Sequence, residues 1–418
     1  MKSKLFLTLL LTILMAEKNF CQTETWENYT TANSGLPDNI VKCVYVARDS
    51  SIWIGTGSGL AHFKNGTWQT FNTGNSQLPD NEVICIHEGL TGNYIWVGTL
   101  SGGLCKYDGS NWTIFDKSNS QIPDNYILCI EPELNLASEE IVWVGTYNGG
   151  AASFYNNTWT VYNYNTTGKL FNQIYAIAHE DNGNKWFGTW GGGLGKFDGS
   201  NWTIFDKLNS GISNNYIYSI AIDKNHNKWL GSKDGGIIKY TDIDFFIYNQ
   251  SNSALSNNSV RSVKADNQNR IWAATLNGGL NRFDGVNWQK WNNTNSQLPD
   301  NWIWNIFLES DNKVHVGTNA GYSVYSSGTT GAKVNEFDNT FTYYMQANRS
   351  LYIQSNELSG NKTSIEIFNG MGQKVYALHT QTVNKNYLTI DLNQLPSGVY
   401  FISAIVAGKR TGGVVVVE

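Results

Sequence analysis

Nine side chains in this sequence pair flat rings with cationic donors at recurring positions. The rings are Tyr147, Tyr175, Trp190, Tyr218, Trp302 and Trp304, and the cations are Lys42, Lys233 and Arg261. Apolar platforms with a few N–H donors converging beside them are the chemistry of a surface that binds a sugar or a peptide. Catalytic spacings do not accompany them. Gly-x-Ser-x-Gly, His-Glu-x-x-His and phosphate-loop patterns are missing, and the 6 histidines are scattered. The 5 cysteines form no Cys-x-x-Cys pair, so a thiolate metal or redox motif has no basis. Asp181-x-x-Asn184, Asp223-x-Asn225-x-Asn227 and Asp266-x-x-Asn269 supply the oxygens that calcium takes. They lack the Gly and Glu of a twelve-residue calcium loop, and Asx turns between strands account for the same letters. The expectation is therefore a binding surface with no catalytic residue, no metal and no cofactor.

What positions these side chains is a repeat. Trp53-Ile54-Gly55-Thr56 returns as Trp96-Val97-Gly98-Thr99, Trp143-Val144-Gly145-Thr146, Trp186-Phe187-Gly188-Thr189 and Trp229-Leu230-Gly231-Ser232. Weaker copies follow at Trp272-Ala273-Ala274-Thr275 and His315-Val316-Gly317-Thr318. Seven copies at a near-constant period of 43 indicate a solenoid, a propeller or an array. Each unit reads as four short strands, with Asp-Gly hairpin turns at Asp108-Gly109, Asp198-Gly199 and Asp284-Gly285. The Trp strand is apolar on both faces, so neighbouring units must cover it on both sides. The fourth strands begin at Trp26, Trp68, Trp112, Trp159, Trp202, Phe245 and Trp288. That series starts before the first unit and ends before the last. A ring in which the strand at Trp26 completes the last unit pairs both open edges. The predicted fold is all-β: a seven-bladed β-propeller closed by its N-terminal strand, followed by a small β-sandwich domain.

Within the unit, two positions vary in size and polarity beside residues that do not. Near the middle of the first strand stands a small residue: Cys43, Cys85, Cys129, Ala176, Ser219, Ser262 or Asn305, read as crowding near the ring axis. One residue earlier come Lys42, Ile84, Leu128, Tyr175, Tyr218, Arg261 and Trp304. After the Thr come Gly57, Leu100, Tyr147, Trp190, Lys233, Leu276 and Asn319. The spacing from the fourth-strand aromatic to the small residue is 17 in every unit, whereas the turn after the first strand carries an insertion at Glu131–Glu140. One face of the ring is thus held to a fixed geometry, and both variable sets fall at the channel mouth on that face. His315, standing where Trp stands elsewhere, reads as a packing position.

The recurring pieces Trp-x-Gly-Thr, Gly-Gly-Leu, Tyr/Phe-Asp-Gly and Trp-x-x-Phe resemble two-component-regulator propeller repeats over residues 24–327. In that family such repeats form periplasmic sensors, often glycan-responsive; a kinase, a membrane helix and a second propeller are not seen in this sequence. Past the linker-like Ser326-Ser327-Gly328-Thr329-Thr330-Gly331, strands recur without the Trp motif. Ile365–Val375, with Asn369-Gly370-Met371-Gly372, and Leu395-Pro396-Ser397-Gly398-Val399-Tyr400-Phe401-Ile402 resemble a type IX secretion C-terminal sorting domain. The expected domains are a signal peptide at 1–22, the propeller at 23–327, a linker at 328–339 and the sorting domain at 340–418.

Lys2 and Lys4 followed by the apolar Leu5–Ala16 have the form of a secretory leader. Cys21 after Lys18-Asn19-Phe20 lacks the small and aliphatic residues of a lipid-modification site. With a net charge of -5 and no Lys/Arg run, the footprint of a nucleic-acid binder is absent. The resemblance implies Sec export, passage by the type IX secretion machinery, and release or display at the outer surface of a Gram-negative bacterium, with no transmembrane anchor in the mature chain. The expected function is binding of an extracellular glycan or protein. The alternatives are a glycan lyase or hydrolase on the same face, or a purely adhesive surface protein.

Overall fold

The computed structural model describes residues 22–168, 172–309, 313–329, 342–345, 349–355, 358–369, 373–396, 398–407 and 409–417. Residues 1–21 of the expected leader fall outside these residues, whereas Gln22 opens a strand; all of the expected linker beyond Thr329 falls outside as well. Two compact units divide the chain: Glu24–Gly328 and a second that includes Thr329–Glu418.

The first unit is seven four-stranded antiparallel sheets. In the first blade the strands run Val41–Val46, Ile52–Thr56, Gly59–Lys64 and Thr67–Phe71, from the axis outward. The seventh sheet takes Ile303–Leu308, Lys313–Thr318 and Gly321–Thr329 from the end of the unit and Gln22–Tyr29 from its start. The ring is closed by the N-terminal strand, as the staggered fourth-strand series predicts. The last of these strands also covers the first residues expected to be linker.

The packing that holds the ring lies between blades. Cys43, Trp53 and Leu60 of the first blade share a core with Val83, Ile86 and Val97 of the second. Leu36, Val41 and Ile54 share another with Tyr322 and Val324 of the seventh, which seals the ring. Trp53, Trp96, Trp186 and Trp272 are all buried; covering one such side chain contributes about 2 kcal/mol. The Gly of the motif lies where a Cβ has no room. One on Gly55 would sit 2.4 Å from Cys43 Sγ and 2.6 Å from Val83 Cγ1, and one on Gly317 would sit 2.7 Å from the Val41 carbonyl oxygen. The small residue of the first strand is therefore set by steric crowding. Burial pushes the Cys43 thiol up to about 12, so it is a packing group and not a thiolate.

The face that was expected to be fixed is fixed by three hydrogen bonds repeated in all seven blades. The motif Thr or Ser hydroxyl donates to a glycine carbonyl across the next turn, as Thr56 Oγ1 does to Gly59 O at 2.8 Å. An Asn side chain in the loop before the first strand accepts the backbone N–H of the residue eight earlier: Asn39, Asn81, Asn125, Asn172, Asn215, Asn258 and Asn301. The residue after the Thr donates its backbone N–H to that same loop, as Trp190 does to Gln173 O at 3.0 Å. On the opposite face, the insertion only lengthens a hairpin: Ile127–Leu134 pairs with Glu140–Thr146 out to Leu134 and Glu140.

The second unit is a two-sheet sandwich. Thr342–Met345, Ser350–Gln354 and Tyr387–Asp391 form one sheet; Lys374–Val383, Asn361–Asn369, Gly398–Val406 and Lys409–Val417 form the other. The strand at Thr342–Met345 was not anticipated. Leu351, Ile353 and Ile390 from the first sheet pack with Ile365, Ile367, Tyr400 and Ile402 from the second. The Tyr400 hydroxyl donates to Pro396 O at 2.7 Å, tying the strand from Gly398 to the segment before it. Among the described residues no helix is long and apolar enough to cross a membrane.

Candidate functional site

The backbone bond from the residue after Thr to the preceding loop explains how two sets of variable residues distant in sequence become neighbours. It sets Trp190 beside Tyr175, with ring centroids 5.2 Å apart and nearly parallel. Tyr218 of the next blade meets both, at 5.6 Å from Tyr175 and 5.4 Å from Trp190. The Arg261 guanidinium lies 4.5 Å from the Tyr218 centroid, 5.3 Å from Tyr175 and 5.5 Å from Trp304. Trp304 in turn contacts Trp302 at 5.7 Å and donates its indole N–H to Asn319 Oδ1 at 2.6 Å. Lys233 lies 4.9 Å over Trp190, and Lys42 lies 5.9 Å from Trp304 while forming an ion pair with Glu82. Eight of the nine expected residues are thus linked in one run of contacts round the mouth. Lys42, Tyr175, Tyr218, Arg261 and Trp304 also line the axial cavity of about 300 Å³.

Tyr147 joins the mouth differently. It stacks on Tyr126 at 5.0 Å, in a pair of its own. Tyr126 was missed by the sequence reading, as was Tyr216, which meets Trp190 edge-on at 4.8 Å. Both occupy the position of Trp302, two residues before the variable first-strand residue, and that shared position was the available signal. Beside Trp190 a cleft of about 490 Å³ is bounded by Asn148, Tyr164, Asn165, Asn172 and Gln173.

The electrostatics of the mouth centre on Arg261. Burial pushes its guanidinium below the ordinary value, and the groups that bear on it are Tyr218, Tyr175 and Tyr126, with no carboxylate among them. Burial also raises Tyr175 and Tyr218, so both stay neutral phenols at physiological pH. An arginine keeps its proton there, and its fork of N–H donors faces rings that accept none of them in the plane. The arrangement can therefore stack a ring and offer charged donors to an acceptor oxygen at the same place.

The opposite end has a different order. Five carboxylates stand five residues beyond the variable first-strand position. Glu133, Glu180, Asp223 and Asp266 accept the indole N–H of Trp143, Trp186, Trp229 and Trp272, at 2.8 to 2.9 Å. Glu309 lies 3.1 Å from His315 Nε2, so the histidine takes over the tryptophan's contact as well as its packing. Asp223 and Asp266 also accept backbone N–H groups of their own turns, the Asx geometry that the sequence pointed to.

Residues 347–418 match the family model described as a secretion system C-terminal sorting domain, and residues 35–58 and 254–277 match the two component regulator propeller. No curated protein sequence matches the chain. Among solved structures, the extracellular domain of a hybrid two component system from B. thetaiotaomicron is similar at 17% identity and a TM-score of 0.62, covering 94% of this chain and 57% of its own. PorZ, an essential bacterial surface component of the type-IX secretion system of Porphyromonas gingivalis, is similar at 18% identity and a TM-score of 0.61, covering 92% of this chain and 60% of its own. A virginiamycin B lyase from Staphylococcus aureus, solved with quinupristin, is similar at 11% identity and a TM-score of 0.58, covering 73% of this chain and 99% of its own. This chain spans less than two thirds of the first two structures, and at these identities the likeness is one of fold.

Proposed function

We propose that the chain is an exported propeller that binds an extracellular ligand at the mouth on its fixed face, and that its C-terminal domain directs type IX secretion to the cell surface or medium. The observation that carries the binding reading is the Arg261 guanidinium, half-buried among Tyr175, Tyr218 and Trp304 with aromatic contacts instead of a carboxylate. A cation drawn partly out of water without an acceptor gains from one, and a ligand oxygen would supply it. A glycan suits the site best, because sugar rings stack on Tyr and Trp faces while their oxygens accept from Arg and Lys. The cleft beside Trp190 offers room for a further residue of such a chain. The sorting role rests on the family match over 347–418 and on the leader-like N-terminus.

The test is retention of the propeller on an immobilised panel of surface polysaccharides and proteins. Trp190→Ala and Trp304→Ala should each lose retention at least tenfold while unfolding at the wild-type midpoint. Unchanged retention in both would remove the mouth as the site. New reducing ends or unsaturated products would move the assignment to a hydrolase or lyase. Removing residues 340–418 should leave the propeller in the periplasm; surface display of the shortened chain would refute the sorting role.

A further inference from the structure

The carboxylate that receives the motif tryptophan's N–H is missing from two blades, and the two vacancies have different fates. In the second blade its position is Gly89, and the Tyr94 ring fills the space: a Cβ on Gly89 would lie 1.9 Å from it. The Trp96 indole nitrogen is left buried without a partner. In the first blade the position is Ala47. Here the space opens into a cavity of about 610 Å³ between the first two blades, on the face away from the aromatic mouth. Ala47, Trp53, His62 and Lys64 line it from the first blade, and Glu88 and Tyr107 from the second.

Two polar atoms at this cavity lack what their counterparts have. Trp53, 5% exposed, has no carboxylate at the place where Glu180 meets Trp186 and Asp223 meets Trp229. His62 lies flat on Trp53, with ring centroids 3.9 Å apart; the Gln69 side chain bears on the ring, and Nε2 is buried with no hydrogen-bond partner among the described residues. In other blades this position holds a cation over the indole: Lys106, Lys196, Lys239 and Arg282. The first blade alone has neither the fixed cation nor an internal filling of the acceptor's place.

We propose that this cavity is a second binding site, which takes a carboxylate group of a small ligand in the place that a glutamate or aspartate fills in the later blades. The edge of Trp53 donates to it, and so does His62 Nε2 in its protonated tautomer. Two of the three acids lining the cavity are paired with cations of this chain, and the third, Asp108, is exposed, where water screens the charge it keeps. Arg48 Nε lies 3.2 Å from Glu88 Oε2, and Lys64 Nζ donates to Asp49 Oδ2 at 2.7 Å. Asp108 accepts from Ser110 and Asn111 of its own turn, at 2.9 and 2.7 Å. An ammonium has three N–H donors, so the half-exposed Lys64 has donors beyond the one that holds Asp49.

Calorimetric titration of the full chain with D-glucuronate, N-acetyl-alanine and D-glucose tests the assignment. At least one carboxylate should bind at least tenfold more tightly than glucose; which one tells a sugar acid from a peptide terminus. Ala47→Glu should weaken that binding at least tenfold and raise the unfolding midpoint, because it restores the internal acceptor. His62→Phe, which keeps the stacked ring, should weaken it several-fold and serves if Ala47→Glu does not fold. Trp190→Ala should leave it unchanged, which separates this site from the mouth. The proposal is overturned if no carboxylate binds, if glucose binds equally, if neither Ala47→Glu nor His62→Phe alters the affinity, or if Trp190→Ala abolishes it.

Discussion

The two faces of the propeller divide labour in opposite ways. On the mouth face the backbone hydrogen bonds repeat from blade to blade: seven Asn side chains accept the N–H eight residues earlier, and seven Thr or Ser hydroxyls cap the following turn, which is one residue shorter in the first and seventh blades. The side chains that this backbone presents differ in every blade. On the far face the backbone varies, and an insertion simply lengthens a hairpin. There a side-chain contact is what repeats, the indole N–H to carboxylate bond. A rigid frame with free side chains can evolve a binding surface at little cost to the fold. A repeated polar contact is structural, and its loss in the first two blades stands out.

This contrast can be broken by substitution, and the largest effect belongs to the far face. Glu180→Ala leaves the Trp186 N–H without an acceptor and takes one of two acids from Lys228, which is completely buried and lies 3.4 Å from Glu180 Oε1. Breaking a buried ion pair costs about 3 kcal/mol, so the urea midpoint should fall clearly while ligand retention at the mouth is kept. Equal loss of retention would mean that the two faces are not independent.

Asn215→Ala tests the frame. It removes the acceptor of the Lys207 N–H, 2.9 Å away, in the loop that leads to Tyr216 and Tyr218. A loss of about 1 kcal/mol is expected, with a larger proportional loss of retention, because the aromatic cluster moves. Retention falling no more than it does for Glu180→Ala would show that the frame does not position the cluster.

The smallest effect is a pH term on the far half of the channel. His179 Nδ1 lies 3.0 Å from Glu131 Oε1, and that carboxylate raises its pKa above the ordinary value of 6.5 against the opposing effect of burial. A raised folded value stabilises the fold fully below the unfolded pKa, and the gain is lost as pH rises through the folded one. The advantage of the wild type over His179→Gln in melting temperature should therefore be greatest below pH 6.5 and fade on the alkaline side. An advantage that grows with pH would remove the pair.

Much of the site was legible because the repeat supplies its own controls. Where Val44 and its equivalents stay the same and Lys42, Tyr175 and Arg261 change, the change itself marks the surface. Tyr126 and Tyr216 were less legible because their position, shared with Trp302, also holds Ile40, Glu82, Gln173 and Ser259, so no residue type marks it. The carboxylate partners of the tryptophans were only half legible. Asp223 and Asp266 were read as turn residues, which they are, but nothing in the spacing shows that their second oxygen reaches an indole six residues on.

Blade count, strand order and closure follow from the sequence alone, because a period of 43 and a displaced fourth strand admit one ring with no open edges. So does the choice of the fixed face, since constant spacing reflects constant hydrogen bonds. Only the tertiary structure decided what each side chain meets. Arg261 finds its rings on three other blades, and Ala47 opens a cavity where Gly89 is filled by Tyr94. Those outcomes depend on contacts between chain segments tens of residues apart, and local propensity and periodicity carry no term for them.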